Sequence, residues 1–194
     1  MKNARTSLLY QKALEYAVHG YAILPLQKGK KIPNLKSWKQ YQENAPTEEE
    51  IAEWWEKSPE ANVGVITGKI SGITVVDIDT KGETVVPLDA FPKTHTIKTP
   101  SGGYHLYYEY DPRIQQTANT FPQFPHVDIR NDGGYVVAPP SSTEKGSYTI
   151  ERNLPLAKFP FELFGVSKGS SKTKRSPLKA KFGLSEGEGR DRGS

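Results

Sequence analysis

Two aspartates two residues apart, Asp77 and Asp79, lie in an apolar run from Thr74 to Thr80. In a strand, alternate residues share a face. That alternation predicts Val75, Asp77 and Asp79 on one side, with Val76 and Ile78 facing a core on the other. Neighbouring carboxylates repel each other unless a cation neutralises them. Oxygen ligands at this spacing suit Mg²⁺ or Mn²⁺, with phosphates completing the shell. The competing reading is a strand that simply ends in a turn.

Three more features follow along the chain. Ser101, Gly102 and Gly103 form a tight turn two residues before His105. Such a turn exposes backbone N–H groups that can cradle phosphate oxygens, and His105 is close enough in sequence to reach the same anion. Asp128 ends a second apolar run and is a candidate third metal ligand. Arg130, two residues on, shares its face, and a guanidinium fork suits a triphosphate. A structural histidine and a surface Asp–Arg pair are the alternatives for these positions. Lys30 and Lys31, in a basic turn before Pro33, would contact phosphate or template, or only water.

The elements that must position these residues are readable from pattern. Helical spacing of Leu8, Leu9, Ala13, Leu14, Tyr16 and Ala17 predicts a helix over 6–18, stopped by Gly20. A short strand follows over 21–25. Thr47 and Glu50 form a capping box that opens a helix to about Lys57, with Trp54 and Trp55 as core. Strands are expected over 62–68, 74–80, 94–98, 104–108, 127–130, 135–138 and 147–150. The Asn131–Gly134 stretch reads as a hairpin turn that pairs 127–130 with 135–138. A last short helix is expected over 158–164. Helix and strand first, then many strands with few helices, predicts an α+β fold on a largely antiparallel or mixed sheet.

Composition bounds the class. The 194 residues suffice for one domain with a real core, and 35% hydrophobic against 25% charged content indicates a globular chain. A net charge of +4 permits an anionic partner without requiring one, since eight of the 26 Lys and Arg follow residue 165. The absence of cysteine excludes disulfides and Cys-ligated zinc. No leader-like or membrane-spanning apolar run is present, which predicts a cytoplasmic protein. Gly64 and Gly68-Lys69-Ile70 miss the spacing of a phosphate-binding helicase loop. Residues 166–194 are rich in Ser, Lys and Gly and read as a basic linker after a domain over 1–165. Its last stretch, 184–194, reads as the start of a truncated helical region.

In order, the basic turn at 29–33, Trp38, the Trp54–Trp55 helix, the run at 62–68, Val75 to Asp79, Thr99 to Tyr107 and Val127 to Ser141 resemble one family. It is the primase–polymerase (prim-pol) domain of the archaeo-eukaryotic primase superfamily, found at the N-terminus of plasmid and phage replication proteins. The resemblance spans roughly 8–165. It places the family's metal pair on Asp77 and Asp79, its Ser/His motif on Ser101 to His105, with one extra residue between them, and its third motif on Asp128. It implies an α/β module packed on an RNA-recognition-like sheet, with the active cleft between them. The implied activity is template-directed nucleotidyl transfer from NTP or dNTP with Mg²⁺ or Mn²⁺ in a two-metal arrangement. Implied partners are single-stranded DNA template and primer, and helical and helicase regions of a longer protein.

Two other readings compete. A nuclease would use the same carboxylates on a phosphodiester, although the Ser-Gly-Gly turn suits a triphosphate better. A non-catalytic single-strand binder would stack bases on Tyr104, Tyr107, Tyr108 and Tyr135. The metal assignment predicts that Asp77→Ala or Asp79→Ala abolishes primer extension without unfolding the protein. Extension and thermal melting measured together check this; near wild-type extension by either variant contradicts the assignment.

Overall fold

A computed structural model of the chain describes residues 7–80, 86–118 and 121–165. The expected linker over 166–194 and the loop at 81–83 lie outside the described residues. Helix α1 spans Leu8–Val18 and is followed by Gly20, whose φ of +90° leaves the helical region. Strand β1 is Ile23–Leu26 and helix α2 is Glu48–Lys57. The capping box is present. Thr47 Oγ1 accepts from the Glu50 N–H at 3.2 Å, and Glu50 Oε2 accepts from the Thr47 N–H at 2.9 Å. Nine strands follow among the described residues: β2 Asn62–Ile66, β3 Ile73–Ile78, β4 His95–Lys98, β5 Tyr104–Glu109, β6 Val127–Arg130, β7 Tyr135–Ala138, the short pair β8 Ser142–Thr143 and β9 Gly146–Ser147, and β10 Thr149–Arg152. The last helix is a 3₁₀ turn, Phe161–Phe164.

These form an α+β fold whose strand pairings are all antiparallel. A five-stranded sheet runs β10-β4-β5-β3-β6 and a three-stranded sheet runs β1-β2-β7. Strands β1 and β2 are buried at every position. Their near-continuous apolar runs follow from being covered on both faces. One core gathers Ala13, Ile51 and Trp55 of the helices, the small sheet, and Val75, Ile97 and Tyr107 from one face of the large sheet. The second core lies on the opposite face, where Val76, Ile78, Leu106, Tyr108, Val127 and Ile129 meet phenylalanines clustered on Phe164. Burying apolar surface on both faces makes β3 the centre of the fold. Trp55 is core, as its spacing predicts, and its indole N–H donates to the Ala61 carbonyl at 3.1 Å.

The expected hairpin between 127–130 and 135–138 is not formed. Strand β6 pairs with β3 in the large sheet, and β7 pairs with β2 in the small one. Residues 131–134 are therefore a crossover between sheets. The reason lies in Asn131, only 1% exposed, whose amide is spent on distant partners. It donates to the carbonyls of Asp111 at 3.0 Å and Ile114 at 2.5 Å, and it accepts from Thr74 Oγ1 at 3.3 Å. Thr67 holds the other side, donating to the Asn131 carbonyl at 2.7 Å. Asp132 accepts from the Lys69 N–H and from the Tyr110 hydroxyl, both at 2.8 Å. Asn-Asp-Gly-Gly satisfies the local chemistry of a hairpin, but these non-local bonds direct the two strands to different sheets.

Asn131→Ala leaves two buried carbonyls without donors, at about 1–3 kcal/mol for a group so exposed to loss. The expected fall in Tm is about 2–12 °C. Thermal melting beside Asp132→Ala, which loses only exposed partners and is expected to fall less, checks the ranking.

Candidate active site

The register of the large sheet sets out the site. Ile97 pairs with His105, His105 with Asp77, and Asp77 with Asp128, so one row crosses β4, β5, β3 and β6. Like charges directly opposite one another destabilise a sheet. Arg130 offsets this from the neighbouring row, where it lies opposite Val75. Its Nη2 donates to Asp128 Oδ2 at 2.8 Å and to Asp77 Oδ2 at 3.1 Å, and its Nε donates to the same Asp77 oxygen at 3.3 Å. His105 Nε2 stands 3.5 Å from Asp77 Oδ1. Arg130 thus pairs with the two sheet carboxylates.

Asp77, Asp128 and Arg130 are partly buried, with side-chain exposures of 20%, 25% and 31%. His105 is nearly enclosed. Burial pushes its pKa down, the Asp77 carboxylate opposes that shift, and Lys31 and Arg130 add to it. The imidazole is accordingly neutral at pH 7, a polar group rather than a fixed cation. A cavity of about 220 Å³ opens over Asp77, His105 and Arg130, closed by Lys31 from the basic turn and by Gly133, Gly134 and Tyr135 after the crossover. A larger hollow of about 780 Å³ lies between Gln27, Asn34 and Ser58. It lacks the carboxylate row, so size does not select it over the smaller cavity.

Other expected members are placed differently. Asp79 lies one residue beyond the end of β3, and its N–H donates to the His126 carbonyl at 2.9 Å. That bond continues the β3–β6 register in which Asp77 lies opposite Asp128. Among the described residues, no group of three or more His, Asp or Glu side chains is arranged to hold a metal ion. The glycine amides of the 101–103 turn are committed within it: Gly102 N–H donates to the Thr99 carbonyl at 2.9 Å, and Gly103 N–H to Thr99 Oγ1 at 3.1 Å. A phosphate cradle from those two N–H groups is therefore not preformed. The glycines have a backbone reason instead. Gly102 has φ +87°, and a Cβ on Gly103 would press into the Ile78 carbonyl oxygen. Ser101 lines a neighbouring hollow of about 200 Å³ with Lys30, Lys31 and Lys145, and Lys31 lines both spaces.

Sequence reasoning missed Gln116 and Tyr148, which also line the cavity. No local signal marks either. Gly134 offers an indirect one, because a Cβ there would collide with the Gln116 amide. The tyrosines proposed as base-stacking surfaces are mostly packed away: Tyr107 and Tyr108 are buried in the two cores. Tyr135 donates its hydroxyl to the Lys31 carbonyl at 2.8 Å and sets its ring edge-on to Trp38.

The architecture and the carboxylate row can be compared with known families. The family described as bifunctional DNA primase/polymerase, N-terminal, matches residues 13–162. The chain belongs to this family of DNA primase/polymerase domains. No curated protein matches the chain significantly. No helix among the described residues is long and apolar enough to cross a membrane.

Removing the guanidinium leaves Asp77 and Asp128 facing each other uncompensated. Arg130→Ala is expected to cost about 1–2 kcal/mol of stability in metal-free buffer, between the values for exposed and buried pairs. The loss should shrink at high salt, which screens the repulsion. It should also be recovered by adding Asp128→Asn. Melting curves of the single and double variants at two ionic strengths check this.

Proposed function

We propose that this domain carries out template-directed nucleotidyl transfer from NTP or dNTP, as a DNA polymerase, a primase or both, in the replication of a mobile element. The observation that carries the reading is the register-paired Asp77 and Asp128, bridged by Arg130 over a cavity at the seam of two sheets, in a chain of the primase/polymerase family.

The donor set fits Mg²⁺ or Mn²⁺. Two carboxylates with hard oxygens lie side by side, and their charge already requires a cation, a part Arg130 plays in the chain alone. Asp77 and Asp128 would hold the ion, with Asp79 joining from the end of β3 and phosphate oxygens completing the shell. When bound, such an ion would supply activation of the attacking 3′-hydroxyl and neutralisation of charge on the leaving pyrophosphate. The remaining chemistry belongs to the protein's own residues. Arg130, relieved of neutralising both carboxylates, would present its fork to phosphate oxygens. Lys31 and Lys30 extend the positive side of the cavity toward Ser101, giving the phosphates a path along its rim. His105 holds Asp77 from behind and keeps water from that side. The template and primer are single-stranded DNA strands, drawn by the same lysines. Helical and helicase regions of a longer protein would act beside this domain.

The test is an assay on primed and unprimed single-stranded DNA with NTPs and dNTPs in Mg²⁺ and in Mn²⁺. Longer products are expected; shortening of the labelled strand would favour a nuclease. Arg130→Ala is expected to weaken nucleotide binding about ten- to 150-fold, from a charge-assisted bond worth roughly 1.5–3 kcal/mol. Arg130→Lys should recover only part, because a point charge cannot bind two oxygens in parallel. Unchanged nucleotide affinity in both variants would remove Arg130 from the phosphate site.

A further inference from the structure

Asn62 opens strand β2 and is 2% exposed. Val63, Gly64, Val65 and Ile66 follow it, so a polar amide stands at the head of an apolar strand. A buried amide costs stability unless it is bonded, and this one is bonded three times. Its Nδ2 donates to the carbonyls of Lys30 at 3.0 Å and Ser142 at 2.7 Å, and its Oδ1 accepts from the Ser142 N–H at 3.2 Å. Lys30 and Ser142 are both exposed residues. The amide therefore ties together two surface loops rather than two parts of the core.

Those loops face one hollow. Lys28 of the basic turn is spent on Glu60 at 2.7 Å. Lys30 and Lys31 instead line the space of about 200 Å³ above Ser101, with Lys145 and Glu144 from the β8–β9 tip opposite. Three lysines against one glutamate leave the lining positive. Like charges gathered in one place repel, and lysine stems are flexible, so their backbones must be fixed for the charges to converge. The turn has three fastenings. Gln27 N–H donates to the Ile32 carbonyl at 2.8 Å, the Tyr135 hydroxyl donates to the Lys31 carbonyl at 2.8 Å, and Asn62 holds Lys30. Asn62 is the one that also holds the hairpin. It lines neither this hollow nor the cavity over Asp77, so it acts through the loops it joins.

We infer that Asn62 is a positioning residue: by tying the basic turn to the β8–β9 hairpin, it holds Lys30, Lys31 and Lys145 converged on one phosphate chain. The inference rests on the nucleotide-site reading given above. The phosphate chain is that of a nucleotide or that of a DNA strand, and the choice of probes separates them. A rim that is competent only part of the time binds more weakly in proportion to that fraction. Loosening the tie weakens the grip without removing any charge.

The probes are tripolyphosphate, dATP and an oligothymidylate lacking a terminal phosphate, each titrated at equilibrium in Mg²⁺ with the full chain. Asn62→Ala is expected to weaken binding about tenfold, the loss when one molecule in ten keeps a competent rim. Loss on tripolyphosphate and dATP names the nucleotide as the source, and loss on oligothymidylate names the DNA strand. In Lys30→Met/Lys31→Met, the added Asn62→Ala change should cost less than about twofold, because residues that act through one another are not additive. The second readout needs no variant. Solvent exchange of the two Asn62 Nδ2 hydrogens should slow when the probe saturates wild type, since binding opposes opening of the tie. It also decides the matter alone if Asn62→Ala does not fold. Equal binding by wild type and Asn62→Ala, an equal loss with and without the two lysines, or exchange indifferent to the probe would each overturn the inference. If wild type binds none of the three probes, the nucleotide-site reading falls and takes this inference with it. Binding indifferent to Asn62 sinks the inference alone.

Discussion

Two negative charges are held directly opposite each other on the central strands of a sheet, and one guanidinium makes that arrangement tolerable. Asp77 and Asp128 are fixed by backbone pairing between β3 and β6, so neither can move away without breaking the ladder. Arg130 reaches both from the adjoining row. The cost of this device is offset elsewhere. Behind the row, Val76, Ile78, Leu106, Val127 and Ile129 are buried against the phenylalanine core, and apolar burial of that kind is the dominant favourable contribution to folding. A rigid, well-packed sheet can hold repelling side chains at a set distance, as electrostatic preorganisation requires.

The two sheets divide the work. The large sheet supplies Asp77, His105, Asp128 and Arg130, all on strands, where orientation is fixed by pairing. The small sheet and its neighbours bring Lys31 and the segment from Gly133 to Val137 over them. The cavity therefore belongs to neither sheet alone. The residues 131–134 join the two at the edge of the site, and Asn131 and Asp132 tie that joint to loops on both sides.

Much of this was legible in the sequence wherever local chemistry decides the outcome. The Thr47–Glu50 box, the Gly20 stop, the buried Trp55 and the shared face of Asp128 and Arg130 all follow from short-range rules. Asp77 facing away from Val76 and Ile78 follows from strand alternation. What the rules missed depends on partners distant in sequence. Asn131–Gly134 has hairpin chemistry, yet it becomes a crossover because its side chains bond to Thr67, Lys69, Thr74, Tyr110 and loop 111–114. Gly102 and Gly103 look like an anion cradle, but Thr99 takes their amides. Tyr148 reaches the cavity only because the chain after β9 passes beside His105, which nothing near it in sequence announces.

The crossover also bears on how the chain folds. Strand β3 must find β6, bringing residue 78 to residue 127, and β2 must find β7, bringing residue 63 to residue 138. Both encounters enclose the same intervening stretch of chain. Once one has formed, the few residues between β6 and β7 hold the second pair nearby, so little further loop entropy is lost. The two sheets should consequently form as one cooperative unit, late and slowly, as contacts so far apart in sequence require. Asp77 and Asp128 meet in that same event, so the carboxylate row comes into being only when both cores close around it.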